Sequence, residues 1–255
     1  MNKKKLIIAN WKMNPRTLTE ARGIFRAAKR RAKGLTKVQT VICPPFIFLS
    51  ALFLEATNKC ALGAQNVFLK KEGAYTGEIS PAQLRALLVS YVILGHSERR
   101  MLGETNEIIQ GKIKAAFEYR LNVILCVGEI ERDSRGYYLS FLKDEIKKSL
   151  GKISGKELKR LLIAYEPIWA VGAHAKRADT PEALLEIVIF IRKVLSDAYG
   201  KSIAFQIPIL YGGSVDAQNA ETFLKNGGVR GLLVGRASLN PQEFNEILKI
   251  AQHTR

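Results

Sequence analysis

The sequence is poor in cysteine. Only Cys43, Cys60 and Cys126 occur among 255 residues, too few and too scattered for a disulfide scaffold or a cysteine-built metal centre. Each lies in an apolar, strand-like segment, so the three are expected to be buried free thiols in a reducing, cytoplasmic setting. Histidine is equally sparse, and His96, His174 and His253 show no ligand spacing, so no metal is expected. Long apolar runs are missing as well. Nothing approaches the roughly 20 residues of a membrane-spanning helix, and the basic start runs only into Leu6-Ile7-Ile8-Ala9, too short for the apolar core of a signal peptide. No Gly-x-Gly-x-x-Gly follows the first apolar run, and Gly200-Lys201-Ser202 lacks the upstream glycine of a phosphate loop, which counts against an open, doubly wound sheet.

Acidic residues are outnumbered, with 23 against 40 basic ones, for a net charge of +17. Such a field attracts phosphorylated substrates, and nucleic acid non-specifically. The basic residues are spread along helix-like stretches such as 22–33 and 143–152, as solvated faces are. No basic and aromatic cluster accompanies them, so no specific nucleic-acid partner is expected.

What the sequence does have is order. A 47% hydrophobic and 25% charged composition is globular, and the length matches the roughly 250 residues of an α/β barrel built around one core. Eight short apolar runs, at 6–11, 38–43, 61–65, 91–94, 123–127, 161–165, 207–211 and 231–234, alternate with amphipathic stretches at 17–32, 81–88, 107–117, 138–149, 181–198, 217–225 and 241–251. Thr180-Pro181 and Asn240-Pro241 place a capping side chain before a first-turn proline. Runs that do not alternate with polar residues suit parallel strands covered on both faces. The expectation is one α/β domain over 1–255, a closed (β/α)8 barrel, in which chemistry gathers where strands end.

Reactive residue types fall at those ends. Asn10-Trp11-Lys12 closes the first run, where a lysine offers a fixed charge to a phosphate or an enolate oxygen. His96 follows the fourth, before a helix that Ser97 could cap. The positive helix end disfavours an added proton, leaving a neutral imidazole able to donate to a carbonyl oxygen. Glu166 follows Leu161-Leu162-Ile163-Ala164-Tyr165 and precedes a proline, and a loop closing over it would exclude water. Gly212-Gly213-Ser214 and Gly235-Arg236 end the last two runs, where backbone N–H groups can approach an anion.

Taken together, Asn10-Trp11-Lys12-Met13-Asn14, Gly95-His96-Ser97-Glu98-Arg99-Arg100, Tyr165-Glu166-Pro167-Ile168-Trp169, Tyr211-Gly212-Gly213-Ser214 and Leu233-Val234-Gly235-Arg236-Ala237-Ser238-Leu239 resemble the triosephosphate isomerase family along the whole chain. The resemblance implies a single-domain (β/α)8 TIM barrel, a cofactor-free enzyme acting on triose phosphates in glycolysis and gluconeogenesis. It makes Glu166 the general base, His96 the electrophile, Lys12 the cation beside an enediolate and Asn10 a substrate contact, with Glu98 orienting Lys12. Gly172, Ser214, Gly235 and Arg236 match positions whose backbone amides hold phosphate. Ala64-Gln65-Asn66-Val67 and the loop 73–80 are similar to the family's third loop, which reaches into a partner subunit, so a homodimer is implied.

Two departures stand out. The segment 172–179 is longer than the family's lid and lacks its Thr-Gly, which would slow or loosen closure and let more intermediate decay to methylglyoxal. Arg236 stands where a glycine is commoner, so its backbone must avoid a positive φ. The alternative to an isomerase is a sugar-phosphate-binding barrel whose catalysis is impaired by that lid.

Overall fold

The computed structural model describes residues 4–170 and 179–254. Eight parallel strands close on themselves in sequence order: β1 Lys5–Asn10, β2 Val38–Cys43, β3 Cys60–Ala64, β4 Tyr91–Leu94, β5 Asn122–Val127, β6 Leu161–Tyr165, β7 Ile209–Tyr211 and β8 Gly231–Val234. The closing seam pairs Leu6 with Gly231 and Ala9 with Val234. Outside them lie α1 Leu18–Lys33, α2 Phe46–Leu52, α3 Pro81–Ala86, α4 Ser97–Met101, α5 Asn106–Glu118, α6 Tyr137–Leu150, α7 Pro181–Tyr199, α8 Lys201–Ala204, α9 Ala220–Asn226 and α10 Pro241–His253. The molecule is a (β/α)8 TIM barrel. Among the described residues no helix is long and apolar enough to cross a membrane.

The unalternating strands have a simple cause, because both of their faces are covered. Leu6 and Ile8, Val41 and Cys43, Ile124 and Cys126, and Leu162 and Ala164 belong to one compact buried cluster. Their neighbours Ile7, Ala9, Ile42, Leu125 and Ile163 pack with the helices in a second, larger one. Each fully buried aliphatic side chain contributes roughly 2 kcal/mol. Cys43, Cys60 and Cys126 are buried free thiols, and desolvation pushes the Cys60 thiol up to about 12.

Helix starts follow local chemistry. Thr17 and Glu20 form a capping box on α1, whose Ala21, Phe25, Ala28 and Ala32 make the buried stripe. Thr180 and Asn240 cap α7 and α10 ahead of their prolines, as the sequence indicates. The structure departs from sequence expectation mainly at boundaries. Strand β7 starts at Ile209 rather than 207 because Pro208 has no N–H for the ladder. Helix α3 stops at Ala86, with Leu88 already at φ 55°. Helix α9 begins only at Ala220, because Asp216 Oδ1 first accepts the amides of Gln218 and Asn219 in a turn. The short α2, α4 and α8 carry too few residues to show a helical period.

Candidate active site

Strand β1 ends at Asn10, and the chain turns sharply at Lys12, whose φ of 53° is left-handed and costly for a side-chain-bearing residue. Two amide side chains hold it there. Asn10 Oδ1 accepts the Lys12 N–H at 3.1 Å, and Gln65 Nε2 donates to the Lys12 carbonyl at 2.8 Å and to the Cys43 carbonyl at 2.9 Å. The ammonium is thereby aimed across the barrel mouth, where Nζ donates to Glu98 Oε1 at 2.5 Å. Asn10 thus holds Lys12 as well as lining the cavity.

His96 follows β4, and it caps helix α4 itself, contrary to the assignment of that role to Ser97. The Glu98 N–H donates to His96 Nδ1 at 3.2 Å. A ring that accepts at Nδ1 carries its hydrogen at Nε2 and is neutral. Nε2 points into the cavity, 3.4 Å from Glu166 Oε1.

Glu166 is only 2% exposed. Its own N–H donates to the Val127 carbonyl at 2.9 Å, continuing the β5–β6 ladder. Neighbouring glycines leave room for it: a β-carbon on Gly212 would lie 2.7 Å from Glu166 Cγ, and one on Gly128 would lie 1.9 Å from the Glu166 carbonyl oxygen. Glu166 Oε2 is buried with no hydrogen-bond partner among the described residues. Such an atom is costly to bury and is tolerated where a ligand completes it. Beneath Glu166, desolvation and the carboxylate itself push the Cys126 thiol well up.

A second buried carboxylate ties the next segment down. Glu129 Oε1 accepts from Tyr165 Oη at 2.7 Å, Trp169 Nε1 at 2.9 Å and Arg132 Nε at 3.2 Å. Burial and Glu129 together push the Tyr165 phenol far up, so it stays a donor. Residues on both sides of Glu166 are therefore fastened to one oxygen.

Glu145 of α6 accepts the Gly128 N–H at 2.9 Å and faces Arg100 at 3.2 Å. Burial raises its carboxyl to about 7, opposed by Arg100 and the Gly128 amide and aided by Glu166 and Glu129. A folded-state value above the unfolded one of 4.5 means that stability is full below about pH 4.5 and is lost as pH rises through about 7. Glu145→Gln removes that titration, so the stability difference should move in the variant's favour by about 3 kcal/mol between those limits. Urea unfolding of both proteins at several pH values checks it, and a pH-independent difference would count against a titrating Glu145.

Asn10, Lys12, His96, Glu98 and Glu166 line a cavity of about 570 Å³ at the carboxyl ends of the strands, with Ser214 after β7 and Gly235 and Arg236 after β8. Gly235 precedes a turn of 3-10 helix, Arg236–Leu239, and Arg236 is not among the described residues with positive φ. The structure places Asn10, Lys12, His96, Glu98, Glu166, Ser214, Gly235 and Arg236 around this one cavity. Gly172 and nearly all of the segment 172–179 lie outside the described residues. Roles for Gln65, Gly128, Glu129 and Glu145 were missed, since each depends on partners distant in the chain.

The comparisons agree with this geometry. A family model described as triosephosphate isomerase matches residues 5–251. The triosephosphate isomerase of Dictyoglomus turgidum is 42% identical over 252 residues, covering 97% of this chain and 99% of that protein. That of Carboxydothermus hydrogenoformans is 43% identical over 251 residues, covering 97% and 98%. That of Dehalococcoides mccartyi is 43% identical over 249 residues, covering 96% of each. With the match running through every strand of the barrel and every described part of the cavity, the chain belongs to the triosephosphate isomerase family.

Proposed function

We propose that the protein interconverts dihydroxyacetone phosphate and D-glyceraldehyde 3-phosphate by proton transfer through an enediolate, serving glycolysis and gluconeogenesis in the cytoplasm. The observation that carries the reading is a buried carboxylate, Glu166, and the Nε2 of a neutral imidazole, His96, set 3.4 Å apart in a cavity that also holds the Lys12 ammonium. With the substrate carbon above it, the Glu166 carboxylate removes a proton from the carbon next to the carbonyl. His96 Nε2–H donates to the carbonyl oxygen as negative charge gathers there, and the Lys12 ammonium steadies that charge. Protonated Glu166 then returns the proton to the neighbouring carbon, and a proton shifts between the two oxygens through His96. Nothing is oxidised overall, so no redox cofactor is required, and His96 and Lys12 supply the stabilisation of oxygen charge that a metal would otherwise give. The phosphoryl group sits against the backbone amides of Ser214, Gly235 and Arg236, with Gly172 completing the set by family resemblance.

The whole chain, 1–255, is read as one domain and as half of a homodimer. Met13, Ile47, Met101 and Leu102 are large, apolar and exposed on the segments after β1, β2 and β4. The 73–80 loop follows β3 at the same barrel end, and large apolar side chains left exposed on these segments favour cover by a second copy of the chain.

A coupled assay tests the function: purified protein should turn over glyceraldehyde 3-phosphate in the presence of a chelator. Loss of activity on chelation with recovery on adding metal would sink the mechanism. Sedimentation of the same sample should show a dimer; a fully active monomer would refute the assembly.

A further inference from the structure

The charges that line the cavity are unfavourable to its proposed ligand. Among the described residues that line it, four carboxylates, Glu98, Glu166, Asp216 and Glu243, face two cations, Lys12 and Arg236. A phosphate monoester adds close to two further negative charges at neutral pH. Lys12 is shared between Glu98, with Nζ at 2.5 Å from Oε1, and the reacting oxygen of the substrate. Arg236 makes no ion pair with any described residue, and its side chain is exposed. Its backbone, by contrast, is fixed: the Ser238 N–H and hydroxyl donate to the Gly235 carbonyl at 2.9 Å and 2.6 Å. A β-carbon placed on Gly235 would lie 3.9 Å from Lys12 Cε, so the Lys12 side chain passes beside the glycine that precedes Arg236 at the end of β8.

We propose that the Arg236 guanidinium grips the phosphoryl dianion directly, adding a side-chain contact to the backbone amides and supplying positive charge at the phosphoryl group while Lys12 serves the reacting oxygen. This rests on the triose phosphate reading above. A guanidinium keeps its charge at every working pH and offers two parallel N–H groups to a pair of phosphoryl oxygens. An exposed arginine on a fixed turn, with no ion pair among the described residues, is free to swing toward such an anion. The ligand class is a phosphate monoester dianion, with inorganic phosphate as its simplest member.

Arg236→Gly and Arg236→Lys test the assignment. Calorimetry with inorganic phosphate should show Arg236→Gly weakened by roughly tenfold or more, the scale of one charge-assisted contact. The KM for glyceraldehyde 3-phosphate should rise by a similar factor. The ratio of kcat/KM on glyceraldehyde 3-phosphate to that on glyceraldehyde, which lacks the phosphoryl group, should fall in parallel, and Arg236→Lys should recover part of each loss. Phosphate affinity unchanged in Arg236→Gly, or an equal loss on glyceraldehyde, would overturn the proposal. Calorimetry needs no turnover. Phosphate binding that depends on Arg236 in a protein inactive on triose phosphates would uphold the anion contact and refute the isomerase reading alone.

Discussion

Glu166→Gln is expected to lower kcat by roughly a thousandfold or more, because it removes the group that we place to accept the substrate proton, and general-base contributions are of that size. The amide keeps the shape of the side chain and can still face His96 Nε2 across 3.4 Å, so the loss should fall on kcat and spare the fold. Stability should move the other way. The carboxylate is 2% exposed with one oxygen unpartnered, and exchanging a buried, incompletely satisfied charge for a neutral amide relieves a desolvation cost. Glu166→Asp separates chemistry from position: it keeps the base but withdraws it by about 1 Å, for a loss on the order of a hundredfold. Steady-state kinetics with urea titrations of all three proteins decide the matter. Near-parent turnover in Glu166→Gln would mean that another residue is the base.

Lys12→Met should cost on the order of a thousandfold in kcat, comparable to removing one donor aimed at a developing oxyanion. The Lys12–Glu98 pair has side chains 30% and 49% exposed, and pairs that open to water contribute under about 1 kcal/mol, so the protein should stay folded while inactive. Lys12→Gly loses the same charge but also removes the strain of a φ of 53°. Glycine should therefore unfold at higher urea than methionine at this position, with both variants equally inactive. A Lys12→Met variant with unimpaired kcat would show that the ammonium does not act on the enediolate.

The sequence shows the barrel clearly because its evidence is local. Eight unalternating apolar runs are the signature of strands buried on both faces, and the caps at Thr180 and Asn240 involve residues no more than three apart. Lys12, His96 and Glu166 are legible for the same reason, each being a reactive residue type directly after an apolar run. The supporting residues are not. Gln65 matters because its amide reaches the carbonyl of Lys12, and Glu145 because it meets Gly128 and Arg100. No periodicity marks such pairs. Ser97 is the instructive miss: serine is the better capping residue in general, yet the imidazole of His96 takes the position, and that choice fixes the tautomer.

The seam between β1 and β8 bears on how activity arises during synthesis. Asn10 and Lys12 come from the first strand, while Gly235 and Arg236 follow the last, and the two strands hydrogen-bond side by side from Leu6 to Ala9. A nascent chain halted before β8 would present β1 as a raw sheet edge, a template for pairing with another polypeptide. It would carry the base and the imidazole but only one wall of the anion site. The first turnover of triose phosphate therefore reports that the ring is complete, and a ribosome-release assay following activity would time the closure of the barrel itself.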